Sequence, residues 1–112
     1  KEEIKKFLLK KRKKILDLGT NNTDSVDYPD YAHLLSKKIN NRTNQLGILV
    51  CGSGIGMNMV ANKYKNIRSA LCYNVKTAKL SREHNNANVI ALGARLTIKK
   101  VALIFSYLNY VQ

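Results

Sequence analysis

Hydrophobic residues in this chain fall in short clusters whose spacing changes from one segment to the next. Ile4, Phe7 and Leu8 recur at helical intervals, which predicts a helix over residues 1–11. Ile15, Leu16 and Leu18 then read as a short strand over 15–18, closed by Gly19 and Thr20. Residues 21–30 are rich in Asn, Asp and Ser, hold the only proline, and read as a loop. Asp30 is placed to cap a helix carrying Tyr31, Leu34, Leu35 and Ile39 on one face. A continuous apolar run predicts a strand over 47–50, followed by three alternating glycines and a helix to about Lys63. Beyond it come a strand over 67–72, a helix over 77–84, a strand over 89–92 and an amphipathic helix over 98–110. Strands and helices alternating through short connections predict a parallel sheet with right-handed crossovers, packed as an α/β/α sandwich.

Composition narrows the class. A chain of 112 residues can bury one core but not two. An apolar fraction of 45% is that of a globular protein, not a disordered one. No apolar run could span a bilayer, and lysines interrupt the amino-terminal stretch too closely for a signal peptide. Cys51 and Cys72 are too far apart for a zinc or thioredoxin-like spacing, and free thiols suit a reducing cytoplasm. The net charge of +13 points towards nucleic acid. Yet the lysines are dispersed, and the dense run Lys10-Lys11-Arg12-Lys13-Lys14 lacks the aromatic interleaving that stacks bases. The basic residues read as a solvated face, with neither nucleic acid nor membrane as partner.

Candidate chemistry concentrates at Cys51. It ends an apolar strand and is followed by Gly52, Ser53, Gly54, Ile55 and Gly56, then by a helix. Open α/β sheets build their ligand sites at such carboxyl ends. Glycines let the backbone approach a ligand, and a helix start offers free N–H groups to an anion. Cys51 is then either a reactive thiol or a small buried hydrophobe. A dinucleotide fingerprint is disfavoured, because Met57 stands where its third glycine belongs and no acidic residue ends the next strand; a flavin is left open by the fold class alone. No Gly-Lys-Ser/Thr follows the glycines, so this is not a nucleotide-hydrolase loop either. Cys72 reads as buried and His33 as a surface residue. His84 is either a helix C-cap or a proton-exchanging group near a strand's carboxyl end.

Several separate stretches then carry a resemblance. They are Asp27-Tyr28-Pro29-Asp30-Tyr31, Cys51-Gly52-Ser53-Gly54-Ile55-Gly56, Ala61-Asn62-Lys63, Ile67-Arg68, Ser81-Arg82-Glu83-His84-Asn85, Asn88-Val89 and Leu92-Gly93-Ala94-Arg95. In this order they closely resemble the type B ribose-5-phosphate isomerases, a family that also holds the galactose-6-phosphate isomerase subunits. The resemblance runs from about Asp17 to the last helix. It implies a Rossmann-like fold and interconversion of ribose 5-phosphate and ribulose 5-phosphate in the non-oxidative pentose phosphate pathway, with no metal or cofactor. It also implies a homodimer or tetramer with the active site at the subunit interface.

By the same resemblance, the cysteine matching Cys51 moves a proton from carbon 2 to carbon 1, while the amides of Gly52, Ser53, Gly54, Ile55 and Gly56 hold the enediolate charge. Ser53 would bond sugar oxygens, His84 open the furanose ring, and Asn85 hold a sugar hydroxyl. Tyr28 and Arg95 match further substrate contacts. Family members begin with a strand ending in an Asp-His pair and end with a segment bearing two arginines. Residues 1–112 match neither, so they read as one isomerase domain shortened at both ends, its sheet lacking a strand between the 15–18 and 47–50 segments. Two rival readings are a galactose-6-phosphate isomerase subunit and a non-catalytic basic remnant that binds anions or nucleic acid. The histidine at position 84 favours the ribose-type members over the first.

Overall fold

The structure is a computed structural model that describes residues 2–19, 28–40, 45–94, 104 and 107. The elements are α1 (Glu2–Lys10), α2 (Tyr28–Asn40), β1 (Gly47–Cys51), α3 (Ile55–Ala61), β2 (Ser69–Cys72), α4 (Val75–Glu83) and β3 (Val89–Gly93). The strands are all parallel and lie in the order β1-β3-β2, with Gly47 and Ser69 both opposite Val89 and with Cys51 opposite Gly93. The crossover from β1 to β2 and the return from β2 to β3 run in opposite directions across the sheet. They pass over opposite faces, which keeps both connections the same hand.

Successive strand residues face opposite layers, and the packing follows that alternation. Ile48, Val50, Ala70, Cys72, Ile90 and Leu92 pack under Ile4, Phe7 and Leu8 of α1, Ala78 of α4, and Ile104 and Tyr107. Leu49, Cys51, Leu71, Val89 and Ala91 pack under α2 and α3, against Ala32, Ile39, Met57 and Ala61. The parallel sheet is thus covered on both sides, as the alternating pattern predicts. β3 is bonded on both edges and buried at every position.

Some boundaries differ from the sequence reading. No strand forms over 15–18, and Leu16 is 69% exposed. A strand exists only where a neighbouring strand takes its backbone hydrogen bonds, and no described strand lies alongside there. Helix α2 begins at Tyr28, not after Asp30; Pro29 is tolerated in a first turn because no N–H is needed there, and Asp30 complements the helix dipole. β2 begins at Ser69, since the Ile67 N–H donates to the Tyr64 carbonyl and the Arg68 N–H to Asn88 Oδ1. Helix α4 starts earlier than the periodicity suggests, because Asn74 Oδ1 accepts the Thr77 N–H at 2.9 Å and Thr77 Oγ1 accepts the Asn74 N–H in a capping box. The remaining loop positions 21–27 and most of 98–110 lie outside the described residues; Ile104 and Tyr107 are helical and buried.

One close approach positions the turn after β1. Gly54 has φ +81°, the left-handed region that glycine tolerates, and a side chain there would meet Gly93 N at 3.1 Å. A Cβ on Gly93 would lie 2.6 Å from the Ser53 carbonyl oxygen, a backbone atom that cannot swing aside. Gly93→Ala is therefore expected to force the turn off the end of β3, at a cost of about 1–3 kcal/mol. Thermal unfolding followed by circular dichroism should show Tm lowered by about 4 °C or more. An unchanged Tm would mean that the turn is not held by this contact.

Candidate active site

At the carboxyl edge of the sheet the backbone of β1 is tied to the end of β3, for the Ala94 N–H donates to the Cys51 carbonyl at 2.7 Å. The glycine turn then folds back over the thiol. The Gly54 N–H donates to Cys51 Sγ at 3.1 Å, and the Ile55 N–H donates to Ser53 Oγ at 3.2 Å. Cys51, Gly52, Ser53 and Gly56 are half-buried, Gly54 is buried, and Ile55 is exposed. The sulfur is thus reachable and has an amide donor against it. A group able to take a proton lies beside a turn of amides able to receive negative charge, the arrangement that stabilises an oxyanion.

Cys72 faces the other layer and is 1% exposed, with burial pushing its thiol pKa up and hydrogen bonding to Thr77 and Ser81 partly opposing that. The buried reading of Cys72 holds. Tyr28 opens α2, whose last turns pack beside Gly47 through Leu35 and Ile39. Its backbone therefore lies towards the glycine-turn edge; its side chain is outside the described residues, as is Arg95.

His84 and Asn85 are elsewhere. Helix α4 leaves the carboxyl edge at Asn74 and returns to the amino edge, where His84 caps its C-terminus. The His84 side chain is 68% exposed, with Nε2 4.0 Å from Glu83 Oε2. Asn85 is exposed beside it, and its carbonyl accepts the Arg68 Nε–H at 2.7 Å. Arg68 precedes β2, so this turn sits below the first residues of all three strands. The reading of His84 as lying near a strand's carboxyl end is thus corrected: a right-handed crossover helix must come back to the edge where the next strand begins. From Gly47 to Cys51 is four residue steps, about 13 Å. One chain therefore brings together Cys51, Gly52, Ser53, Gly54, Ile55 and Gly56, and keeps His84 and Asn85 a sheet's length away.

Side chains that periodicity does not reveal hold these two edges. Asn62 pairs with Ser69 as a strand would, accepting its N–H at 2.8 Å and donating to its carbonyl at 2.9 Å, while Ser69 Oγ donates to Asn58 Oδ1 at 2.7 Å. Asn66 donates its backbone N–H to Asn40 Oδ1 and its side-chain N–H to the Asn40 carbonyl, both at 2.8 Å, joining the end of α2 to the turn after α3. Each such bond contributes about 0.5–1.5 kcal/mol. His33 is half-buried rather than a surface residue, its Nδ1 hydrogen-bonded to the Tyr64 hydroxyl at 2.6 Å. The Ala61-Asn62-Lys63 and Ile67-Arg68 stretches were the signals available in sequence for these ties.

No helix among the described residues is long and apolar enough to cross a membrane. The family model described as Ribose/Galactose Isomerase matches residues 1–109. A Mycoplasma pneumoniae protein named probable ribose-5-phosphate isomerase B is 43% identical over 99 residues, covering 88% of this chain and 65% of its own length. The crystal structure of ribose-5-phosphate isomerase B from Mycoplasma genitalium with bound ribulose-5-phosphate superposes with a TM-score of 0.95 at 38% identity, covering 99% of this chain and 76% of that one. The Thermotoga maritima ribose 5-phosphate isomerase superposes with a TM-score of 0.92 at 40% identity, covering 98% and 77%. The chain spans about two thirds of the length of the curated relatives it matches. Matched along nearly all its residues in both sequence and fold, the chain belongs to the ribose/galactose isomerase family.

Proposed function

We propose that this chain is an aldose–ketose isomerase subunit that interconverts ribose 5-phosphate and ribulose 5-phosphate, with Cys51 as the base. The observation that carries this reading is the half-buried Cys51 sulfur with the Gly54 N–H against it at the mouth of the glycine turn. The names of the relatives, and the ribulose-5-phosphate bound in the Mycoplasma genitalium enzyme, support the substrate.

Isomerisation needs three events on adjacent atoms. Ring opening breaks the bond between C1 and O4 as the O1 proton leaves and O4 gains one, a transfer assigned to the imidazole of His84. The Cys51 thiolate then takes the proton on C2, and the electron pair moves to the former aldehyde oxygen. The turn amides hold that negative charge, and the Ser53 hydroxyl, which already accepts the Ile55 N–H, keeps its own proton to donate to a sugar oxygen. Finally the thiol returns its proton to C1, and the O2 proton passes to O1. Asn85, Tyr28 and Arg95 are assigned to substrate contacts.

Because C1 and C2 are bonded to each other, Cys51 and His84 must act within one small site. They lie at opposite edges of one sheet, so the proposal assigns them to different copies: Cys51 and its turn from one subunit, His84 and Asn85 from another. A homodimer or tetramer with sites between subunits follows. The single three-layer packing supports one domain, and the free thiols suit a reducing compartment such as the cytoplasm.

Cys51→Ala should lower kcat by about a hundredfold to ten-thousandfold or more while leaving the circular dichroism spectrum unchanged. Near-normal turnover would end the assignment of Cys51 as base. Brief iodoacetamide treatment at neutral pH, read by mass spectrometry, should label Cys51 and be blocked by ribose 5-phosphate. Cys72 should stay unlabelled, since burial keeps its thiol protonated. Preferential labelling of Cys72 would contradict the site.

A further inference from the structure

The turn that presents His84 and Asn85 is held from two sides by arginines. On the inner side Arg82 is buried; its Nη1–H donates to the Ala87 carbonyl and its guanidinium lies 5.8 Å from the centre of the Tyr107 ring. The Ala87 N–H returns to the Ser81 carbonyl at 2.9 Å. On the outer side Arg68 grips the same turn three times. Its Nε–H donates to the Asn85 carbonyl at 2.7 Å, its backbone N–H donates to Asn88 Oδ1 at 2.8 Å, and its carbonyl accepts the Asn88 N–H at 3.0 Å. Between these anchors Asn86 has φ +49°, a left-handed conformation that a free asparagine visits but does not keep.

We infer that Arg68 is a positioning residue for His84 and Asn85, fixing the turn that carries them through its bond to the Asn85 carbonyl. Its backbone contacts are ones any residue would make; among the described residues, the Nε–H to Asn85 is the bond that depends on the arginine side chain. Freeing the Asn85 carbonyl lets the Asn85–Asn86 peptide rotate, which moves Asn85 directly and His84 through the residue that joins it to the turn. Arg68 is also the residue before β2, whose first residue is clamped to α3 by Asn62 and Asn58. The anchor is therefore tied to the helix that begins at the glycine turn, and it does not move with the turn it holds. Lysine does not substitute, because its ammonium carries no donor along the stem where Nε sits.

The inference rests on the reading that His84 opens the ring, so the test includes His84→Asn. Initial rates are compared with ribose 5-phosphate, which is mainly cyclic, and with ribulose 5-phosphate, whose O5 carries the phosphate and cannot close a ring. Arg68→Ala is expected to lower kcat/KM for ribose 5-phosphate by about 10- to 100-fold, the scale of a misplaced catalytic group. The initial rate with ribulose 5-phosphate should fall by less than about threefold, and His84→Asn should show the same split more strongly. Arg68→Lys should resemble Arg68→Ala. Full activity in Arg68→Lys, or equal losses on both substrates in Arg68→Ala, would overturn the inference by making Arg68 a charge or a structural prop. If Arg68→Ala does not fold, the lysine variant decides alone. A split in His84→Asn without one in the Arg68 variants sinks the positioning role only. No split in His84→Asn sinks the ring-opening assignment and this inference with it.

Discussion

Everything about the site depends on the central strand being parallel to both its neighbours. β3 is bonded along both edges and buried throughout, so it cannot shift register without exposing its whole length. A parallel strand is entered at one edge of the sheet and left at the other. The turn that leads into β3 carries His84 and Asn85; the residues that end it, Leu92 and Gly93, are the floor on which the Cys51 turn rests. One strand therefore separates the two halves of the chemistry and braces each of them. The separation is a consequence of topology, and no side-chain movement closes it.

Under the proposed function, that separation makes the assembly part of the mechanism. In the proposed reaction a base and a ring-opening group serve adjacent carbons and have to meet, and one chain does not bring Cys51 and His84 together. Pairing two copies so that the carboxyl edge of one faces the amino edge of the other brings them together twice, once at each of two equivalent sites. The exposed face of α3 beside the glycine turn, with Ile55 and Met59 one turn apart, lies where such a neighbour would approach. Each edge has its own contacts: Gly93 against the Ser53 carbonyl on one side, Arg68 and Arg82 around the Asn85–Ala87 turn on the other.

The sequence was most informative where structure is set by neighbours along the chain. The run ending at Cys51, the three glycines after it and the buried strand at Val89 all stand where the hydrophobic pattern puts them, because strand alternation and glycine turns are local properties. Tertiary facts were illegible. Ile15 to Leu18 have the composition of a strand but no strand lies beside them among the described residues, and composition alone does not make a ladder of hydrogen bonds. His84 could be placed on a helix end but not at an edge of the sheet, since that requires the crossover to be traced. His33 looked like a surface residue because its partner, Tyr64, is thirty-one positions away. The asparagine and arginine ties to backbone groups leave no periodic trace; they were present only as short stretches whose physical purpose the fold supplied.

The central claim is that each active site draws Cys51 from one copy and His84 from another, and subunit mixing tests it directly. Cys51→Ala and His84→Asn proteins, each nearly inactive with ribose 5-phosphate, are unfolded together, refolded and assayed. In a random mixture half the dimers carry one subunit of each kind, and in those dimers one of the two sites has both groups intact. The account predicts recovery of about a quarter of the unmodified activity. Mixed dimers that form, as read by mass spectrometry of the intact assembly, yet recover no activity would contradict it.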